Sequence, residues 1–507
     1  MAHHHVEVKE ELYEFKPATR SKLYILLVVG IALAALGLFT AGDGSEHAEG
    51  GHGGGHSSVV AKDKMVASIA QEPAQEPTQP SSQQGAAQGH DSTSTEHAAT
   101  EAEHGASSEH AAAPAHEGAA AHAGAEHAGG EHHGSPHWLK RLYTTLWMHN
   151  IYFTGLALIG LFFIAIQYAA QAGWSVGIKR VALAMGTWLP IAGILTLVLW
   201  FLVKGDLFHW SHADVYQEGT ASYDKIIKDK GPFFFWPLAG GTFPLFFIFR
   251  MVLFFGLWYW FYTKIRRNML AEDLDASTQY WYNIRGTSAW FLVFFGASSS
   301  IAAWDWVMSI DTHWFSTMFG WYVFASWWVT GLAVITLIVA FLKDAGYLKI
   351  VNANHLHDLG KFVWAFSIFW TYIWFGQFLL IYYAHIPEET VYFVERMRTS
   401  NYAWIFYTNI ILNFVMPFLL LMTRDAKRQI STLKVVMPII IVGHWFDFYN
   451  MVTPGVMQFS GSVGFLEIGV FLIFTAVFLL FVLSNLAKVP LFGKNDPMLE
   501  ESLHHHI

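Results

Sequence analysis

With 507 residues, 53% of them hydrophobic, 17% aromatic and only 14% charged, the chain is too apolar for a water-soluble globular protein and reads as an integral membrane protein. The absence of cysteine excludes iron–sulfur ligation, C-x-x-C-H haem attachment and disulfides within the chain. The net charge of −9 is unevenly spread, since residues 42–137 hold 14 acidic residues against Lys62 and Lys64.

Residues 1–22 form a charged tail, followed by a first apolar span at 23–41 with no clear A-x-A cleavage site. That span reads as a retained anchor rather than a removed signal peptide. MAHHH at the start and LHHHI at the end fit native residues or tag remnants equally. Residues 42–137, built from Ala, Gly, Ser, Gln, Glu and His, cannot bury enough apolar surface to fold and are expected to be a disordered outer loop. The segment contains 13 histidines, but nothing in it pre-organises a coordination geometry. It reads as a solvated spacer, and no metal site is assigned to the chain.

Nine further spans follow within a bundle at 138–490, at 147–170, 181–203, 238–263, 288–309, 317–342, 362–384, 402–422, 433–452 and 463–486, before a tail at 491–507. Each approaches or exceeds the roughly 20 apolar residues a membrane helix needs. None shows the alternation of a barrel strand. The fold class is therefore all-α integral membrane, with about ten transmembrane helices. Most Lys and Arg fall on one side if both termini are cytoplasmic, among them Lys264, Arg266, Arg267, Arg285, Arg424, Lys427, Arg428 and Lys434. In that orientation 42–137 lies outside.

Charged groups within spans are costly, about 2.5–3.5 kcal/mol for an unpaired one at the helix centre, and so point to function. Asp305 and Arg250 lie at similar depths, about a turn and a half from the outer ends of consecutive antiparallel helices, which suggests a pair. The alternative is that Arg250 snorkels to the interface. His444 and Asp447 stand three apart on one face. His149, His385 and Glu467 sit near predicted helix ends, where interfacial solvation is the better reading. Trp304 and Trp306 flank Asp305 as belt or stacking residues, and Asp311 and His313 follow in the loop. Inward, Ser367, Thr371 and Trp374 fall at helical spacing, with Tyr372 beside them and Asn409 and Asn413 four apart.

Two chemistries suit such a set. A quinol site needs a proton acceptor and aromatic walls, and here would draw on His149, Trp304, Trp306, Asp311 and His313. A proton path would use Asp305, His444, Asp447 and Arg250 on the outer side, with His444 and Asp447 relaying to Asp305 and with Asp311 and His313 exchanging with water. Ser367, Thr371, Tyr372, Asn409 and Asn413 would continue that path inward. An ion-coupled secondary transporter is a further alternative. It would require broken helices at the midplane in both halves, and "PFFFWPLAGGTFP" at 232–244 is the one such break found.

The run Trp304-Asp305-Trp306-Val307-Met308-Ser309-Ile310-Asp311, followed by Trp314-Phe315-Ser316-Thr317-Met318-Phe319-Gly320, resembles the signature segment of the polysulfide-reductase (NrfD-like) membrane-subunit family, in the version found in alternative complex III. That assembly is a respiratory quinol:cytochrome c oxidoreductase. The ten spans, the single helix before a long hydrophilic loop and "HWFDFYN" at 444–450 are most similar to the second of its two large membrane subunits. The likeness covers about 140–490. It implies two four-helix bundles plus two extra helices, a bacterial inner-membrane location, and a role in assembly and proton conduction, with direct quinol binding as the alternative. It also implies partners: a paralogous membrane subunit, an iron–sulfur protein, multihaem and monohaem cytochromes c, and, as a further candidate, a terminal oxidase. No nucleic acid is expected. Haem and iron–sulfur clusters are expected on those partners only, and quinol is the one small molecule left open for this chain.

The topology has a direct check. Cysteines introduced as Ser57→Cys and Ser431→Cys are expected to react with impermeant thiol reagents from opposite sides of the membrane. Labelling of both from one side contradicts the assignment.

Overall fold

The computed structural model of the protein describes residues 10–46 and 135–506, so most of the predicted outer loop lies outside the described residues. Among the described residues there is no β-strand, only an isolated bridge between Leu12 and Pro490. Ten helical spans among the described residues are long and apolar enough to cross a membrane.

In chain order these are α1 (Pro17–Glu46) and α2 (His137–Ala169), then α3 (Lys179–Met185) joined through a 3₁₀ turn to α4 (Leu189–Leu207) as one span. A short surface helix, α5 (Lys225–Phe235), precedes α6 (Leu245–Leu274), α7 (Thr278–Trp306), α8 (Phe319–Asp344) and α9 (Ala353–Ala384). After α10 (Pro387–Arg398), the eighth span is built from α11 (Ser400–Ile410), a π turn at Ile411–Val415 and α12 (Met416–Leu420). The last two spans are α13 (Ile430–Met457) and α14 (Phe465–Leu486), followed by a short α15 (Leu499–Leu503).

Several boundaries differ from the hydropathy reading. The fourth span begins at Leu245 rather than 238, because Pro237, Pro244 and the left-handed Gly241 (φ 79°) keep 236–244 out of the helix. The one break counted for a transporter is thus a connection at a helix end. α7 and α9 begin about two to three turns earlier than hydropathy suggests, since polar residues extend a helix beyond the bilayer wherever a cap supports it. Ser277 caps α7, and Asn352 with His355 forms a capping box on α9.

The span made by α3 and α4 packs with α2, α6 and α7 as one four-helix bundle, and α8, α9, α11/α12 and α13 form a second. α1 and α14 run together outside them. The bundles meet where α2 and α7 lie on α8 and where α2 lies on α13. Contact there is close enough that a Cβ on Gly155 of α2 would stand 1.8 Å from the Trp327 ring of α8. Likewise, a Cβ on Gly469 of α14 would stand 2.3 Å from the Ala34 nitrogen of α1, the small-residue packing expected between helices in lipid.

The described chain ends meet on one face, called here the terminal face. Leu491 N donates to Glu11 O (2.8 Å), and buried Lys179–Asp496 (2.9 Å) and Arg180–Asp273 (2.7 Å) pairs tie the C-terminal segment and the end of α6 to α3. The connections at 208–244, 307–318, 385–399 and 458–464 lie on the opposite face.

Candidate functional site

Arg250 on α6 does not snorkel to the interface. Its Nε and Nη2 donate to Asp305 Oδ2 and Oδ1 on α7, both at 2.7 Å, and the carboxylate is fully buried. Nη1 donates to Phe233 O (2.7 Å), while the guanidinium lies over the Phe233 and Phe246 rings at 4.3 and 4.4 Å. Each charge therefore has a bidentate partner, and the guanidinium has an aromatic cover, the arrangement that makes a buried ion pair tolerable.

Beside this pair a cavity of about 350 Å³ is walled by Phe233, Phe234, Trp304, Met308, Trp314 and Phe315, with Lys230 the only charged residue lining it. Burial lowers the Lys230 ammonium below its ordinary value, with Asp224 acting against the shift, and Nζ donates to Thr312 O (2.5 Å). Of the residues expected to hold a quinol, only Trp304 lines the cavity. Trp306 is buried and stacked on Phe255 (5.3 Å), with its carbonyl accepting from Trp147 Nε1 (2.9 Å). Asp311 and His313 turn in different directions. Asp311 accepts from the buried Arg396 of α10 (2.9 Å), whereas exposed His313 meets Asp224 (2.5 Å). Burial raises the Asp224 carboxyl, but hydrogen bonds from Ile227 N–H and His313 outweigh it and hold the group below the usual carboxylate range.

The second polar centre is Asp447 on α13, also fully buried. Oδ1 accepts from the Tyr322 hydroxyl of α8 and from Asn409 Nδ2 of α11 (2.7 Å). Oδ2 accepts from the Ser326 hydroxyl of α8 and from Trp370 Nε1 of α9 (2.9 Å). All four helices of the second bundle thus contribute to one carboxylate. His444 Nδ1 stands 3.7 Å from Oδ2, too far for a hydrogen bond, and neither ring nitrogen of this buried imidazole has a hydrogen-bond partner among the described residues. Below, Asn413 Nδ2 donates to Asn409 Oδ1 (2.5 Å), and Asn413 Oδ1 and the buried Ser367 hydroxyl lack hydrogen-bond partners among the described residues. A Cβ at Gly443 would sit 2.2 Å from Asn413 Oδ1, so the glycine lets the amide rest against α13.

The expected relay from His444 and Asp447 to Asp305 is not formed. Arg250 occupies both Asp305 oxygens, the donors above occupy Asp447, and no hydrogen bond among the described residues joins the two centres, which belong to different bundles. Three further expectations change. His149 is not interfacial, because α2 begins twelve residues earlier; its Nδ1 bonds Thr145 O (2.7 Å) and Nε2 accepts from Trp445 Nε1 (2.8 Å), which specifies the neutral Nδ1–H tautomer. Glu467 is buried against Arg141, with two 2.7 Å hydrogen bonds, and accepts from Gly464 N (2.7 Å). Tyr372 is 72% exposed on the outside of α9 and lines no inner path, while Thr371 returns its hydroxyl to Ser367 O (2.9 Å). His385 stays exposed, as the left-handed cap of α9.

Sequence reasoning missed Tyr322, Ser326, Trp370, Arg396 and Arg141. The i, i+4, i+8 spacing of Tyr322, Ser326 and Thr330 is a polar stripe that could have drawn attention to α8. Arg396 and Arg141 lie in charged stretches outside the hydropathy windows, where nothing local marks a buried partner.

No protein-family model matches the chain, and no curated protein matches it.

The Arg250–Asp305 geometry predicts that Arg250→Ala, which strands a buried carboxylate, lowers stability by about 3–5 kcal/mol. The double change Arg250→Met with Asp305→Leu should recover most of that loss. Thermal unfolding in detergent measures both, and equal stability of Arg250→Ala and wild type contradicts the structural role.

Proposed function

We propose that this chain is a membrane subunit of a respiratory quinol-oxidising complex, where it supports assembly and conducts protons through a polar path centred on Asp447. The observation that carries the proton reading is that Asp447 is buried with neutral donors from three neighbouring helices and, among the described residues, no Lys or Arg paired with it. A carboxylate locked to a guanidinium must break an ion pair to change charge. Asp447 needs only a rotation of the Tyr322 and Ser326 hydroxyls. Asn409 and Asn413 carry the polar column inward, and the partnerless His444, Ser367 and Asn413 atoms offer sites that ordered water would bridge. Toward the opposite face, the Arg396–Asp311 pair closes the column.

The respiratory assignment rests on the 304–320 segment and its resemblance, and the electrons run through partner subunits. Both termini are cytoplasmic in this reading, from the distribution of Lys and Arg, and the membrane is the bacterial inner membrane. The aromatic cavity next to Arg250–Asp305 favours a second reading, direct quinol binding, because flat Phe and Trp rings, with Met308 beside them, suit a quinol headgroup.

In the intact complex reconstituted in proteoliposomes, Asp447→Asn is expected to leave assembly unchanged and to lower proton-coupled turnover and proton release about tenfold or more, the scale of losing a positioned acid–base group. Wild-type turnover and proton release in that variant would remove Asp447 from the path.

A further inference from the structure

The terminal-face ends of α6 and α7 carry four cations, Lys264, Arg266, Arg267 and Arg285, none within ion-pair distance of a carboxylate among the described residues. They contrast with Lys179 and Arg180 of α3, which are buried in ion pairs on the same face. Between α6 and α7 lies a groove of about 690 Å³ opening away from the bundle, lined by Trp260, Lys264, Tyr282, Asn283, Thr287 and Trp290 among others. Lys264 Nζ lies 5.0 Å from the centre of the Trp260 ring, at the groove wall. The lining is polar where it meets this basic end and becomes apolar toward the midplane, at Leu257, Val293 and Phe294. Gly286, also lining the groove, has nothing within 4 Å of an added Cβ, so it leaves this space clear.

We infer that this groove binds one anionic phospholipid of the terminal-face leaflet. Its phosphate pairs with Lys264 and accepts from the polar rim, and an acyl chain lies along the apolar part. Charge complementarity selects the occupant. A zwitterionic lipid brings its own ammonium beside Lys264, on helix ends that also carry Arg266, Arg267 and Arg285, whereas phosphatidylglycerol brings a net negative charge. The inference is independent of the proton path, which lies in the other bundle.

The test is native mass spectrometry of the full chain in detergent, titrated in turn with phosphatidylglycerol, phosphatidylethanolamine and inorganic phosphate. Wild type should hold one phosphatidylglycerol in preference to phosphatidylethanolamine. Lys264→Ala should lower that affinity roughly fivefold, the weight of one cation near an anionic headgroup. Gly286→Trp, which keeps every charge but fills the groove, should lower it at least as much. Gel filtration and thermal unfolding confirm that each variant is folded, and either variant suffices if the other is not. Unchanged binding in a folded Lys264→Ala or Gly286→Trp protein overturns the inference. Displacement of the lipid by equimolar inorganic phosphate also overturns it, since it would mark an ion site rather than a lipid site.

Discussion

A charge taken into hydrocarbon must bring its partner with it, and this constraint organises the structure. Arg250 brings Asp305, Arg396 brings Asp311, Arg141 brings Glu467, and at the terminal face Arg180 brings Asp273 and Lys179 brings Asp496. Each pair joins residues distant in sequence, so each also fixes which helices or connections lie together. Arg250–Asp305 clamps α6 to α7, and Arg141–Glu467 clamps α2 to α14. Asp447 satisfies the same constraint differently, with hydroxyl, indole and amide donors in place of a cation.

That difference divides the molecule chemically. In the first bundle the buried Asp305 is bound bidentately by Arg250, whose guanidinium lies over two Phe rings, which suits a structural strut beside an aromatic cavity. In the second, two of the four groups holding the carboxylate are hydroxyls, which both donate and accept, with polar atoms extending from it toward the middle of the span. A network of that kind is stiff when fully satisfied, yet it can pass a proton by rotating hydroxyls without moving helices. The close α2–α8 contact at Gly155 and Trp327 holds the two bundles against each other, so the strut and the hub share one frame.

The ten spans and their charged residues were legible in the sequence because hydropathy and the cost of burying charge are local signals. The Arg250–Asp305 pair could be anticipated because equal depth on consecutive antiparallel helices is a geometric consequence of helix length. The Asp447 hub could not, since Tyr322, Ser326, Trp370 and Asn409 come from three helices whose arrangement around α13 is set by tertiary packing. Helix ends misled for a related reason. His149 and Glu467 sit near the edges of apolar windows, but α2 runs twelve residues further back and supplies Arg141 to cover Glu467. Tyr372 shows the limit of spacing arguments, because one residue beyond Thr371 turns the side chain from the bundle to its exterior.

On the proposed path Asp447 takes up and releases a proton during turnover while Asp305 remains in its ion pair. Infrared difference spectroscopy of the intact complex measures this directly through the carbonyl stretch of a protonated carboxyl group, identified by its shift in D₂O. A turnover-linked band that disappears in Asp447→Asn and persists in Asp305→Asn is expected. A band that survives Asp447→Asn unchanged, or is lost only in Asp305→Asn, would contradict it.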